Sequence, residues 1–348
     1  MNRTPLQEWF RLTDRNRLNI FLQTAEKKLL HESAVEKDWW VVQTLTAVFS
    51  MKYANILVFK GGTSLSKGWN LIQRFSEDID LALDREFLGF SGELTKGDIR
   101  KLRKASYQFI TEIFTPELKS KFAELGFENV LVKYREVENH DQDPLIVEVY
   151  YNTLTERGIY LKPVILLEIG SRSLKEPFTQ RNISTVVSEI FTDQPFTDRP
   201  ISIPIVNPER TFLEKIFLLH EELQKEPDKI RVERLSRHLY DIEKISHTGY
   251  AEIALQDTDL YNTIVKHRSK FTPVSGIDYA NHSPDKINII PPDSIIKNWK
   301  QDYDIMKQAM IFDNPLSFDE LIERLIELQK RINKINPKPR NFKPETLN

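Results

Sequence analysis

Apolar residues recur at helical spacing near the start of the chain, where Leu18, Leu22, Ala25 and Leu29 lie along one side of a helix. Ser33, with Glu36 three residues on, predicts a capped helix start, and VEKDWWVVQTLTAVFSMK continues it as an amphipathic helix. The period then changes. Ile56 to Phe59 is a short apolar run closed by Gly61-Gly62, which predicts a buried strand entering a turn. Thr63 to Gly68 predicts a helical turn, and Asp78-Ile79-Asp80-Leu81-Ala82-Leu83 a second strand. A helix is expected over 98–126, then strands near 129–137, 145–151 and 163–169. The Thr-, Ser- and Pro-rich block 171–207 holds one more expected strand, at 201–206. Beyond Asn207-Pro208 the period is helical, over 208–224, 231–246, 259–270, 294–311 and 317–335, with a Pro-containing loop at 272–292. Strands followed by helices predict an α+β protein. The expected architecture is a mixed β-sheet with flanking helices over 1–207, followed by a C-terminal helical unit over 208–348.

Composition removes several chemistries. With 348 residues the chain can bury a core without disulfides or a structural metal. Zero cysteines exclude a disulfide framework, a zinc knuckle, a thiol nucleophile and an iron–sulfur cluster together. A formal charge of −2, from 49 Lys+Arg against 51 Asp+Glu, gives no whole-molecule basicity. No run approaches 18 apolar residues, and MNRTPLQEWFRLTDRNR lacks a signal-peptide core, so a soluble, cytoplasmic protein without membrane contact is expected.

Chemistry concentrates in FKGGTSLSKGWNLIQRFSEDIDLAL, residues 59–83. Asp78 and Asp80 stand two apart on a predicted strand, so their side chains share a face with Cα atoms about 6.5–7 Å apart. Two such carboxylates repel, and a divalent cation relieves that cost. Hard oxygen donors of this kind suit Mg²⁺, with Mn²⁺ as the alternative ion. Upstream, Gly61 and Gly62 let backbone N–H groups approach an anion, and Thr63 and Ser64 are expected to donate hydroxyls to phosphate oxygens. Lys60, Lys67 and Arg74 lie close enough in sequence to contact phosphates. A Gly-Gly turn alone is usually only a turn, and a strand Asp-x-Asp is more often a solvated edge. Their combination in this order is the arrangement of the nucleotidyltransferase superfamily.

KGGTSLSKGW followed by RFSEDIDLAL resembles the AbiEii-type nucleotidyltransferase toxins of type IV toxin–antitoxin and abortive-infection systems, as does ESAVEKDWWVVQTL upstream. The resemblance covers roughly 33–245 and leaves 250–348 unmatched. It implies a nucleotidyltransferase using an NTP and Mg²⁺, with an RNA acceptor such as a tRNA 3′ end and a cognate antitoxin as partner. It also implies a third carboxylate from a neighbouring strand. Glu168 in VILLEIG is preferred for this role, and Glu148 in PLIVEVYY is its rival. PERTFLEKIFLLHEEL and RLSRHLYDIEKI resemble the later motifs of the family, assigning Lys215 and Asp241 to the nucleotide pocket; His238 departs from the usual pattern.

Two physical readings accompany these assignments. The neighbours of Lys215 one turn away, Thr211, Phe212, Leu218 and Leu219, include no acid, so a half-buried Lys reaching for an anion is expected. Asp241, with Arg237 and Lys244 nearby on its own helix, also reads as a surface ion-pair partner. Basic clusters at 96–104 and 328–343 are compatible with RNA. An inert scaffold of the same fold and a kinase-like phosphoryl transferase are the competing functions, the latter disfavoured because no H-R-D loop is present.

Overall fold

Seven strands form one mixed sheet in the computed structural model, which describes residues 3–76, 78–156, 162–172, 177–311 and 314–335. They are β1 Leu57–Lys60, β2 Asp78–Leu83, β3 Leu131–Tyr134, β4 Leu145–Tyr150, β5 Val164–Gly170, β6 Phe178–Ile183 and β7 Ile201–Val206. Their order is β3-β4-β5-β2-β1-β7-β6. β2 runs antiparallel to β1 and parallel to β5, which places the Asp-x-Asp strand well inside the sheet. The helices are α1 Pro5–Arg11, α2 Asp14–Lys28, α3 Glu32–Phe49, α4 Gly61–Lys67, α5 Lys96–Gln108, α6 Thr115–Glu124 and α7 Val186–Ile190. A π-helical turn, Phe109–Phe114, joins α5 to α6. There follow α8 Pro208–Leu223, α9 Ser236–Ser246, α10 Gly249–Gln256, α11 Thr258–Phe271, α12 Ile296–Met310 and α13 Phe318–Ile332. The α+β class read from the order of strands and helices holds.

Strand alternation decides which face is core. Ile79, Leu81, Leu83, Ile165, Leu167 and Ile169 are all buried and join Phe21, Trp39 and Leu45 of the N-terminal helices in one apolar cluster. The opposite face of β2 and β5 carries Asp78, Asp80 and Glu168, each partly exposed.

β6 has no counterpart in the hydrophobic pattern. It lies at a sheet edge, and five of its six residues, Phe178 to Asn182, are exposed, so no alternation marks it. The helix start expected at Ser33 falls at His31, whose ring accepts from the Ser33 N–H.

α3 is not an amphipathic surface helix. Its Glu36, Lys37 and Asp38 are all buried, and each ties down a different segment. Glu36 accepts from the N–H groups of Leu154 and Thr155 and from the hydroxyls of Thr153 and Thr155. The Lys37 ammonium donates to the Lys162 carbonyl at 3.0 Å, and Asp38 accepts from the Val186 N–H at 2.8 Å. A helix buried on all sides needs such partners for every charge it carries.

Gln43, further along α3, donates to Asp198 at 3.0 Å. Burial pushes the Asp198 carboxyl up to about 6, against the opposing effect of that hydrogen bond. An acid raised in the folded state ionises more readily in the unfolded chain, so stability is lost as pH rises from its ordinary value through the raised one. Asp198→Asn is therefore expected to raise the melting temperature by a few degrees at pH 8. The gain should shrink by roughly half at pH 5. Melting curves at the two pH values test this, and an equal shift at both contradicts it.

The chain divides into two compact units, one of residues 1–211 with 307–315 and the other of 212–306 with 316–348. In the first unit the returning segment lies against the residues before β2: the Phe75 N–H donates to the Met310 carbonyl at 2.6 Å, and Arg74 forms an isolated antiparallel bridge with Ile311. In the second unit the loop expected over 272–292 is built from short 3-10 turns at Tyr279–His282 and Pro284–Lys286. His220 fixes it by donating from Nε2 to the Asn281 carbonyl at 2.9 Å and accepting at Nδ1 from the Asn288 N–H at 3.0 Å. Burial, with His282 close by, pushes the His220 imidazole down to about 4, which matches a neutral ring held in that tautomer. The second half of the basic cluster at 328–343, from Asn336 onward, lies outside the described residues.

Candidate active site

Strand register brings the predicted residues of the first unit together. Lys60 of β1 lies opposite Asp80 of β2, and Asp80 lies opposite Glu168 of β5. In-register residues on neighbouring strands project to the same side of the sheet, about 4.8 Å apart. Asp80 thus has a carboxylate on one flank and a lysine on the other, with Asp78 two positions along its own strand.

Glu148 also faces this side of the sheet but stands one strand further out, opposite Leu166. It is engaged there. Arg135 donates to it through Nε at 2.9 Å and Nη2 at 2.7 Å, and the Tyr150 hydroxyl adds a bond at 2.9 Å. Burial alone would push the Glu148 carboxyl up, yet the Arg135 and Tyr150 hydrogen bonds outweigh it and hold the group below the ordinary range. Glu168 is accordingly the acid that the sheet sets beside Asp80.

The turn after β1 explains both glycines. Gly61 has φ of +79°, and a Cβ there would lie 1.8 Å from Asp80 Oδ2. No L side chain fits without displacing that carboxylate. A Cβ on Gly62 would meet Arg74 Nη2 at 2.7 Å and Ser76 Oγ at 3.0 Å, the ends of side chains that can shift. Gly61→Ala is therefore expected to lower transfer at least tenfold by displacing Asp80, with Gly62→Ala the milder of the two. Steady-state rates of the two variants, compared at matched folded fraction, check the order.

The hydroxyls of the turn have a different use from the one expected. Thr63 Oγ1 donates to the Asp78 carbonyl at 2.5 Å, and Ser64 Oγ to the Gly61 carbonyl at 2.9 Å. Both side chains are buried. The Thr63 bond ties α4 to the start of β2 and the Ser64 bond closes the first turn of α4, so both hydroxyls donate to the backbone here. What the turn offers an anion is backbone N–H groups, since among the described residues no side chain caps α4. Lys67 is likewise committed, pairing with Asp38 at 2.7 Å with both side chains largely buried. A cavity of about 650 Å³ with mixed polar and apolar walls adjoins this region, lined by Thr63, Ser66, Lys67, Arg74, Ile72 and Val186 among others; Asp78, Asp80 and Glu168 do not line it.

The donor chemistry of Asp78 and Asp80 fits a magnesium ion, which typically takes one or two carboxylates and completes its shell with water and substrate phosphates. Among the described residues no group of three His, Cys, Asp or Glu side chains is gathered closely enough to hold a metal ion. The fit is that of a pair completed by substrate, with Glu168 in register beside Asp80.

In the second unit, Lys215 of α8 and Asp241 of α9 form an ion pair at 2.8 Å, with side-chain exposures of 8% and 0%. The expectation of a surface ion pair between Asp241 and its helix neighbours is corrected: its carboxylate is fully buried and meets Lys215 across two helices. His238 Nδ1 lies 3.4 Å from Lys215 Nζ. α9 begins after Arg234, which has φ of +61°. Asp302 of α12 supplies the missing cap, accepting from the Arg234 N–H at 2.7 Å, the Ser236 N–H at 3.0 Å and the Ser236 hydroxyl. Residues beyond 250, silent in the motif reading, thus orient the helix that carries Asp241. No sequence signal links Asp302 to Ser236.

Among the described residues no helix is long and apolar enough to cross a membrane. No curated protein matches the sequence. Among solved structures, JHP933 from Helicobacter pylori is 16% identical, with 88% of this chain and 94% of that chain covered and a TM-score of 0.41. A provisionally assigned nucleotidyltransferase from H. pylori is also 16% identical, with 88% and 96% covered and a TM-score of 0.44. A family model described as nucleotidyl transferase AbiEii toxin, type IV TA system, matches residues 45–324, well past the point where the motif resemblance ends. Matched over most of its length, the chain belongs to the AbiEii family of nucleotidyltransferase toxins of type IV toxin–antitoxin systems, and it is a nucleotidyltransferase.

Proposed function

We propose that the chain transfers a nucleotide from an NTP to an RNA acceptor, such as a tRNA 3′ end, in a reaction that depends on Mg²⁺ or Mn²⁺. The observation that carries this reading is the placement of Asp78 and Asp80 on the open face of β2, with Glu168 in register beside Asp80. Asp78 and Asp80 would hold the ion; when bound, it neutralises charge on the transferring phosphate and its leaving group. Gly61 leaves room for the Asp80 carboxylate, and the backbone of the turn presents N–H groups to the phosphates. Glu168 adds negative charge next to Asp80 that favours cation binding. Lys215 and Asp241 enter the nucleotide site through the family motif alone. Family membership brings a cognate antitoxin as partner.

The RNA acceptor is supported by α5, where Lys96, Arg100, Lys101 and Lys104 are exposed. Such a surface contacts phosphates and makes binding fall with salt. Incubation with total RNA and NTP labelled at either the α- or the γ-phosphate tests the reading. Transfer of α label to RNA with pyrophosphate release is expected; γ label on the acceptor overturns it in favour of phosphoryl transfer.

A further inference from the structure

Lys60, Lys67 and Arg74 are the cations that the sequence sets around the Gly-Gly turn. Lys67 is held by Asp38, and Arg74 is 3% exposed with Nη1 on the Phe75 carbonyl at 3.2 Å. Lys60 is placed differently. It ends β1, along which Leu57 and Phe59 are buried while Val58 and Lys60 are partly exposed. Successive side chains of a strand point to opposite faces, so Lys60 leaves from the open face that Asp78 and Asp80 share. Register sets Lys60 across from Asp80 on one side and Glu168 across from it on the other. A row of Lys60, Asp80 and Glu168 thus crosses three neighbouring strands, its adjacent members about 5 Å apart.

The charges in this row act against one another. Asp78, Asp80 and Glu168 bring carboxylates to one face, and their repulsion is greatest when no cation lies among them. An ammonium in the row offsets part of that cost in the metal-free protein. It also opposes metal binding, because a divalent cation on Asp80 and the Lys60 ammonium repel each other at this range. Lysine suits an exchange of partners, being a compact charge on a flexible stem rather than a fixed fork. The phosphates that complete the shell of a magnesium ion offer the displaced ammonium its next partner.

We propose that Lys60 is an exchangeable counter-ion of the carboxylate site. It neutralises Asp80 while the site is empty and moves to the phosphates of the nucleotide when a divalent cation takes its place. This role rests on the metal and nucleotide assignment made above, and it adds a residue to which that assignment gives no part.

The signature is a pair of effects in opposite directions. Mn²⁺ serves as the probe, and its binding to the full chain without nucleotide is followed by loss of the paramagnetic resonance signal of the free ion. Lys60→Gln is expected to bind Mn²⁺ about tenfold more tightly than the wild type, since the competing charge is gone. Transfer from α-labelled NTP at saturating Mn²⁺ should instead fall about tenfold in kcat/KM, the scale of one charge-assisted hydrogen bond. Lys60→Arg keeps the charge and should return Mn²⁺ affinity to the wild-type value. No side-chain bond caps α4 from Lys60, so these variants leave the helix start intact, and melting curves check it. Unchanged or weaker Mn²⁺ binding by Lys60→Gln, or unchanged transfer, overturns the proposal. Asp80→Asn is titrated alongside: wild-type Mn²⁺ affinity in that variant removes the metal assignment itself, a result distinct from either.

Discussion

Asp80→Asn is expected to lower nucleotide transfer by at least roughly 100-fold, the scale on which loss of one preorganised electrostatic group acts, while the melting temperature stays level or rises. The two halves of this result come from one cause. Asp80 has Asp78 on its own strand, Glu168 across the β2–β5 pairing and Lys60 across the β1–β2 pairing. Carboxylates on one face repel, so neutralising the central one relieves the fold even as it removes one of the proposed cation ligands. Asparagine keeps the volume that Gly61 packs against, which makes the variant a test of charge alone. Transfer assays with α-labelled NTP and a thermal melt of the same sample decide the matter. Wild-type turnover removes Asp80 from the metal site. A large fall in melting temperature makes Asp80 a structural anchor instead.

The second large effect concerns stability. Removing either partner of the Lys215–Asp241 pair, by Lys215→Met or Asp241→Leu, is expected to cost about 3–5 kcal/mol. Both side chains are almost wholly out of solvent, so the survivor is a buried charge with its counter-ion gone. The double variant should recover most of the loss, because apolar groups of similar volume satisfy the same space. Denaturant unfolding of the four proteins gives the coupling directly. Additive single effects would show that the pair contributes nothing as a pair. A consequence for function follows. Loss of NTP binding in Lys215→Ala reports on the nucleotide site only if the variant is shown to be folded, and calorimetry needs a circular dichroism control.

The parts of the fold that could be read from sequence are those with a one-dimensional signature. β2 was legible because Ile79 and Leu81 alternate with Asp78 and Asp80, and burial follows that alternation residue by residue. β6 was not, because an exposed edge strand buries no alternate face. Preference for Glu168 over Glu148 rested on resemblance, and the physical ground for it is long-range: parallel pairing of β2 with β5, and Arg135 already holding Glu148. The backbone bonds of Thr63 and Ser64 were not legible for a related reason. A hydroxyl in a Gly-rich turn reads the same whether it serves a phosphate or the carbonyl beside it. Lys215 showed an absence of acids one turn away, and that absence was real. Its partner sits on another helix, where no periodicity could reveal it.

The short segment 307–315 bears on how this protein can be taken apart. It belongs with the first unit, although the chain has already traversed most of the second to reach it. Phe75 and Arg74, immediately ahead of the carboxylate strand, bond to its Met310 and Ile311. A fragment ending at residue 211 would therefore lack a piece of its own packing, next to the Asp-x-Asp strand. Neither unit is a contiguous stretch of sequence, so a single proteolytic nick or nonsense codon cannot release one of them whole. The toxin is built to be made and lost as one object.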